Sequence, residues 1–161
     1  MNDETRLRPI RRAWLTRQPG QLIGKGHPAG DFLEAYDWAL LEEHPGVLRV
    51  RAHLPAHVKN PRGQLFGGFT PTYIDLIALL TVRAGESEEV RFRTWLATTN
   101  MRVDYFEPIL GPHFIIESRL LKARGRTRFV ETNFFDPENT LAVFALTTMR
   151  EVALDRVIGD A

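Results

Sequence analysis

The stretch Gly67-Gly68-Phe69-Thr70-Pro71-Thr72-Tyr73-Ile74-Asp75-Leu76-Ile77-Ala78-Leu79-Leu80-Thr81-Val82-Arg83-Ala84 carries apolar side chains at nearly every angle around a helical wheel. A helix that is apolar all round must be buried, so the segment is expected to be the central helix of the fold. Thr70 and Pro71 suit its beginning, where backbone N–H groups have no intrahelical partner, and Gly85 suits its end.

Outward from this helix the chain reads as strands. Ala35–Glu43 and Val47–Leu54 are extended candidates joined by His44-Pro45-Gly46, which predicts a hairpin. Beyond the charged loop Glu86–Arg91 come four more, Thr94–Phe106, His113–Ala123, Thr127–Asp136 and Leu141–Glu151, separated by turn residues at Pro108 to Pro112, at Gly125 and at Asp136-Pro137-Glu138-Asn139. Thr99, Met101, Val103 and Tyr105 alternate, as do Leu141, Val143, Ala145, Thr147 and Met149, so each of these strands is expected to turn one face to a core. Two strands, a long apolar helix and four strands make an α+β plan, with an antiparallel β-sheet wrapped around the helix.

Composition narrows the function. A chain of 161 residues, 43% hydrophobic and 25% charged, suits one globular domain. There is no cysteine, which removes disulfides, thiolate nucleophiles and cysteine-bound metals together. The formal charge of +1 gives no overall field for nucleic acid or an anionic membrane. The longest apolar run, Ile74 to Val82, is interrupted by Asp75 and too short to span a bilayer, and a cytoplasmic location is expected. Ser87 and Ser118 lie in no nucleophile elbow, and Pro55 between His53 and His57 argues against a metal-binding helix, so no metal or prosthetic group is expected.

Residues 1–30 read as an N-terminal arm and linker, and residues 31–161 as the domain proper. The arm holds Arg6, Arg8, Arg11, Arg12 and Arg17; Ile10, Trp14 and Leu15 form one apolar stripe of a short helix that docks on the body with the arginines in solvent. The competing reading is that the arginines grip a phosphorylated ligand or a partner subunit.

Between Arg62 and Arg83 the only ionisable side chain besides Tyr73 is Asp75. A carboxylate on a buried helix has to be paired, hydrogen-bonded or functional, and burial would raise its pKa towards the range useful to a general base. Just before the helix, Asn60-Pro61-Arg62-Gly63-Gln64-Leu65-Phe66-Gly67-Gly68 brings glycines to the helix start, where free N–H groups and the positive helix end favour a carbonyl oxygen gaining charge. If the segment is helical throughout, the eight residues from Gly67 to Asp75 span about 12 Å. One copy does not easily bring both to one bond; two copies with antiparallel helices would, which predicts a shared site across a two-fold axis.

Asn60, then Gly67-Gly68, then Asp75 resembles the Asn…His-Gly-Gly…Asp pattern of the hotdog-fold acyl-CoA thioesterases of the phenylacetate-pathway type. The resemblance continues through Thr98-Thr99-Asn100-Met101-Arg102-Val103-Asp104-Tyr105-Phe106-Glu107-Pro108 and covers roughly Ala35 to Val152. It implies a hotdog fold and hydrolysis of an acyl-CoA thioester to free acid and coenzyme A. It also implies roles: Asp75 as base or nucleophile, the Gly67 N–H as oxyanion donor, Asn60 positioning water or thioester, and Thr99 as a further catalytic candidate. Phe66, Gly68 and Thr98 are the expected substrate contacts, with Arg124 and Arg126 beside the coenzyme A phosphates. The assembly implied is a homodimer or a dimer of dimers.

Phe66 stands where the family has histidine, and a phenyl ring neither hydrogen-bonds nor shuttles a proton. It is read as packing against the acyl chain or filling the imidazole's space. The alternative is a non-catalytic acyl-CoA or acyl-carrier binding protein. Hotdog dehydratases work with a paired histidine and carboxylate, and no histidine lies near Gly67 or Asp75 in the sequence.

Overall fold

The computed structural model describes residues 3–154, with side chains described from Arg8 onward. The outer ends of the two expected segments, residues 1–2 and 155–161, lie outside the described residues. In chain order the elements are α1 (Asp3–Leu15), α2 (Pro28–Phe32), β1 (Ala39–His44), β2 (Val47–His53), α3 (Thr70–Arg83), α4 (Glu88–Arg91), β3 (Thr94–Tyr105), β4 (His113–Arg124), β5 (Thr127–Phe135) and β6 (Leu141–Ala153).

The strands form one six-stranded antiparallel sheet in the order β1-β2-β4-β5-β6-β3. Its concave face closes on α3, which touches β2 through β6, and this is the α+β hotdog arrangement. Inside, Trp38 stacks on Tyr73 with centroids 5.4 Å apart and planes 1° from parallel, and Tyr73 in turn meets Phe114 and Phe134. All four rings are buried, and they supply much of the apolar area that drives folding. The Tyr73 hydroxyl keeps its hydrogen bond by donating to the His53 carbonyl at 2.9 Å. Burial, then the charge of Glu34, push its pKa upward.

Two expected boundaries move. The first extended candidate begins at Ala39, because Ala35–Asp37 form a single 3-10 turn behind Glu34, whose φ of 53° turns the chain. Gly67–Phe69 are a 3-10 turn rather than helix, so α3 starts at Thr70 with Pro71 in its first turn. Three residues at a 3-10 rise and five at an α rise lengthen the Gly67 to Asp75 span to about 13 Å. At the other end Gly85 takes φ 80°, a conformation open to glycine, and the helix stops at Arg83.

The segment before Gly30 contributes Ala13, Leu22 and Ile23 to the core, with Ile10 and Trp14 half-buried and Leu15, against expectation, 55% exposed. Arg8, Arg11 and Arg12 are exposed, while Arg17 pairs with Glu43 at 3.2 Å. His27 caps α2, its Nδ1 accepting the Gly30 N–H at 3.2 Å.

Burial lowers the His27 pKa against the opposing pull of Asp31. The unfolded chain therefore binds the proton first, so this contribution to stability is present above about pH 6.5 and is lost as pH falls through the folded value. His27→Asn keeps an acceptor at the cap and removes the titration. On acidification from about pH 7 to about pH 5, the wild type is expected to lose more melting temperature than the variant. Parallel melting curves across that range would refute the assignment.

Candidate active site

Helix α3 turns Tyr73, Ile74, Leu76 and Ile77 into the core, at 0–3% exposure. Asp75 lies on the opposite stripe with half-buried Thr72 and Leu79, three residues before and four after it. The expectation that Asp75 is enclosed on an all-round buried helix is therefore corrected: the carboxylate is exposed in the protomer. The reason is geometric, since α3 packs most closely on β2, β4 and β5, and the stripe that carries Asp75 faces a cavity on the β3 and β6 side.

That cavity has a volume of about 770 Å³, and its lining is mostly apolar. Leu76, Leu79 and Leu80 of α3 form one wall, Leu96 and Met101 of β3 and Met149 of β6 another, and Ile10 and Trp14 of α1 a third. Asp75 and Thr98 sit together in the lining, and the Thr98 hydroxyl donates to Asp75 Oδ1.

A β-bulge decides which threonine meets Asp75. Strand β3 pairs Thr98 with Met149 and Asn100 with Thr148, leaving Thr99 as the extra residue. Leu96 is buried before the bulge, whereas Met101 and Val103 pack on the core after it, so the inward parity changes from even to odd. The Thr99 hydroxyl instead donates to the Thr148 carbonyl at 3.1 Å. Simple alternation put Thr99 and Tyr105 on the core face; both are exposed, Thr99 because it is the extra residue of the bulge, and Tyr105 because it ends the strand, where its hydroxyl reaches the Gly67 carbonyl.

The loop before α3 is built separately. Asn60 Oδ1 accepts from the N–H groups of Arg62 and Gln64 at 2.9 and 3.1 Å, and its Nδ2 donates to Gln64 Oε1 at 3.2 Å, so the side chain is spent inside its own loop. The Phe66 N–H donates to the Val58 carbonyl and the Tyr105 hydroxyl to the Gly67 carbonyl, at 2.9 and 2.8 Å, which fixes the peptides on either side of the Gly67 N–H. No acceptor among the described residues takes the Gly67 N–H.

The Phe66 ring is 50% exposed, edge-on to Phe69 at 5.6 Å. Phe66, Gly67 and Gly68 do not line the cavity of their own protomer. Arg124, at the end of β4, and Arg126, in the β4–β5 turn, are exposed and also outside it. The structure thus brings Asp75 and Thr98 together and keeps Asn60, Phe66, Gly67 and Gly68 in a second group. The α1 wall was the part that residue patterns missed, although the Ile10 and Trp14 stripe was its visible trace.

A family model described as the thioesterase superfamily matches residues 62–143, from the loop before α3 to the start of β6. The chain belongs to the thioesterase superfamily, and is a hydrolase of hotdog fold.

Among solved structures it is similar to a hypothetical thioesterase with coenzyme A from Streptococcus pneumoniae (17% identity, TM-score 0.62, covering 73% of this chain and 87% of that one). It is similar also to a thioesterase from Haemophilus influenzae (13% identity, TM-score 0.66, 78% and 83% covered). A third is a putative thioesterase, phenylacetic acid degradation-related, from Ralstonia eutropha (18% identity, TM-score 0.65, 77% and 90% covered). At these identities the likeness concerns the fold. No match was found among curated proteins.

Proposed function

We propose that the protein hydrolyses acyl-CoA thioesters, with Asp75 as the general base, in a site completed by a second copy of the chain. The observation that carries this reading is the Asp75 carboxylate, held by Thr98, at the rim of a large apolar cavity. An acyl chain lying in the cavity brings its thioester carbonyl to that rim. Asp75 takes a proton from water, and the oxygen attacks the carbonyl carbon. The resulting oxyanion rests on the Gly67 N–H of the other copy, and collapse expels the coenzyme A thiolate, which recovers the proton from Asp75. Direct attack by the carboxylate, through an acyl-Asp75 anhydride that water then opens, uses the same contacts.

The second copy is argued from β3. This twelve-residue strand is a sheet edge carrying Trp95, Tyr105 and, just beyond, Phe106 at 39%, 53% and 57% exposure, and such an edge calls for cover. A copy laid there would also exclude water from Asp75. In this proposal Asn60 acts through the loop that presents Gly67, and Thr99 through the bulge that aims Thr98. Phe66 and Gly68 meet the substrate from the other copy, and Arg124 and Arg126 are candidates for its phosphates. The coenzyme A reported with the Streptococcus pneumoniae relative supports the choice of thioester.

Assay of short, medium, long and aromatic acyl-CoA substrates, with sedimentation to fix the oligomeric state, tests the reading. Coenzyme A release by a dimer or higher assembly is expected; acyl-CoA binding without release would favour the non-catalytic alternative that Phe66 suggests. Thr98→Val removes a charge-assisted hydrogen bond of about 1.5–3 kcal/mol and is expected to lower kcat about 10- to 100-fold. An unchanged kcat would take Thr98 out of the mechanism.

A further inference from the structure

We infer that α1 closes the acyl chamber of this chain and that Trp14 sets how bulky an acyl group it accepts, the substrate class being an acyl group with a large apolar tail rather than acetyl. This rests on the reading of the site as an acyl-thioester site.

Size comes first. The chamber of about 770 Å³ falls in the range of roughly 300–1,000 Å³ that holds a drug-sized ligand, far more than two carbons need. Chemistry agrees, because the reach behind Asp75 and Thr98 is walled by Leu79, Leu80, Leu96, Met101 and Met149. The buried Arg83 also lines it, but its guanidinium is spent on Glu86 at 2.9 Å and on the carbonyl and hydroxyl of Thr94 at 2.9 and 3.0 Å. The remaining cationic lining, Arg11 and Arg91, lies towards α1, where the Arg91 Nε has no hydrogen-bond partner among the described residues, so the reach behind Asp75 and Thr98 itself offers a tail hydrocarbon.

The remaining wall is α1, and it is latched. The Arg91 guanidinium lies 3.4 Å from the centre of the Trp14 ring and donates to the Arg83 carbonyl at 2.9 Å, which ties the indole to the end of α3. Arg11 lies over Phe92 at 5.0 Å, and Arg17, itself over Trp14 at 5.3 Å, pairs with Glu43 on β1. Burial, then the Arg17 charge, lower the Arg91 pKa to about 10, as expected for a guanidinium pressed under this wall. The wall lies outside residues 62–143, so it is an addition of this chain to the matched family segment.

Burying a methylene improves binding about 3- to 4-fold, so kcat/KM should climb by that factor per carbon from butanoyl-CoA until the chamber is full, then level off. Trp14→Ala removes the wall: the ratio of decanoyl- to butanoyl-CoA kcat/KM should fall about tenfold, with Trp14→Phe intermediate. Leu79→Trp, which fills the chamber from α3, should likewise lower the ratio of decanoyl- to butanoyl-CoA kcat/KM, and it serves if Trp14→Ala fails to fold.

The same series as S-alkyl-CoA thioethers, which cannot be hydrolysed, is to be titrated calorimetrically. A chain-length-dependent Kd that Trp14→Ala flattens upholds the inference even if no acyl-CoA is turned over, in which case the hydrolytic reading alone fails. Turnover with no chain-length dependence, or a ratio that neither variant changes, overturns the inference and leaves the hydrolytic reading standing.

Discussion

Asp75→Asn is expected to lower kcat for acyl-CoA hydrolysis by about 10²–10⁴-fold, the share that a positioned general base supplies. Asparagine keeps the shape of the side chain and can still receive the Thr98 hydroxyl, but its amide cannot take a proton from water. Because Asp75 is exposed in the protomer and in no salt bridge among the described residues, little folding energy depends on its charge. The melting temperature should therefore stay within roughly 2 °C of the wild type. Calorimetric melting beside steady-state kinetics separates the two effects. A kcat within twofold of the wild type, in a folded protein, would remove Asp75 from the chemistry and with it the mechanism proposed above.

Gly67→Pro and Gly67→Ala should part company. Proline has no N–H to offer an oxyanion, and loss of one such donor costs about 10²–10³-fold in kcat. It fits the backbone, because Gly67 opens a turn and Phe66, at φ −66° and ψ 127°, already holds the conformation a residue takes before proline. Alanine keeps the donor, and its Cβ would meet the Tyr105 ring at 3.7 Å, an ordinary contact. So Gly67→Ala should retain activity within a few-fold.

Mixing extends the test to the shared site. Asp75→Asn and Gly67→Pro chains, each nearly inactive, should recover about a quarter of wild-type activity when refolded together, because half the dimers are hybrids and each hybrid holds one intact site. No recovery, with hybrids demonstrated, would place both groups within one chain.

Much of this fold was legible beforehand. The all-apolar α3, the hairpin and four later strands follow from periodicity and turn chemistry, local properties that hold whichever way the elements pack. Asp75 stood out because a lone carboxylate in an apolar run needs a reason. Its exposure was not legible: helical periodicity says which residues share a stripe, not which stripe a neighbour will cover, and α3 is apolar on stripes that the sheet does not reach. Thr98 and Thr99 could not be told apart for a related reason, since a bulge shifts the inward parity of a strand by one and leaves no mark in residue type.

What the sequence by itself determined is the kind of element each segment forms, the absence of any cysteine chemistry, and the pairing of a lone aspartate on an apolar helix with a glycine turn that resembles the thioesterase pattern. Tertiary structure alone decided that Thr98 meets Asp75 and that α1 walls a chamber of about 770 Å³. The physical reason is range. Propensity and capping act within a few residues, whereas a cavity is the space left between elements far apart in the chain, and Trp14 reaches α3 only once the sheet has brought them together.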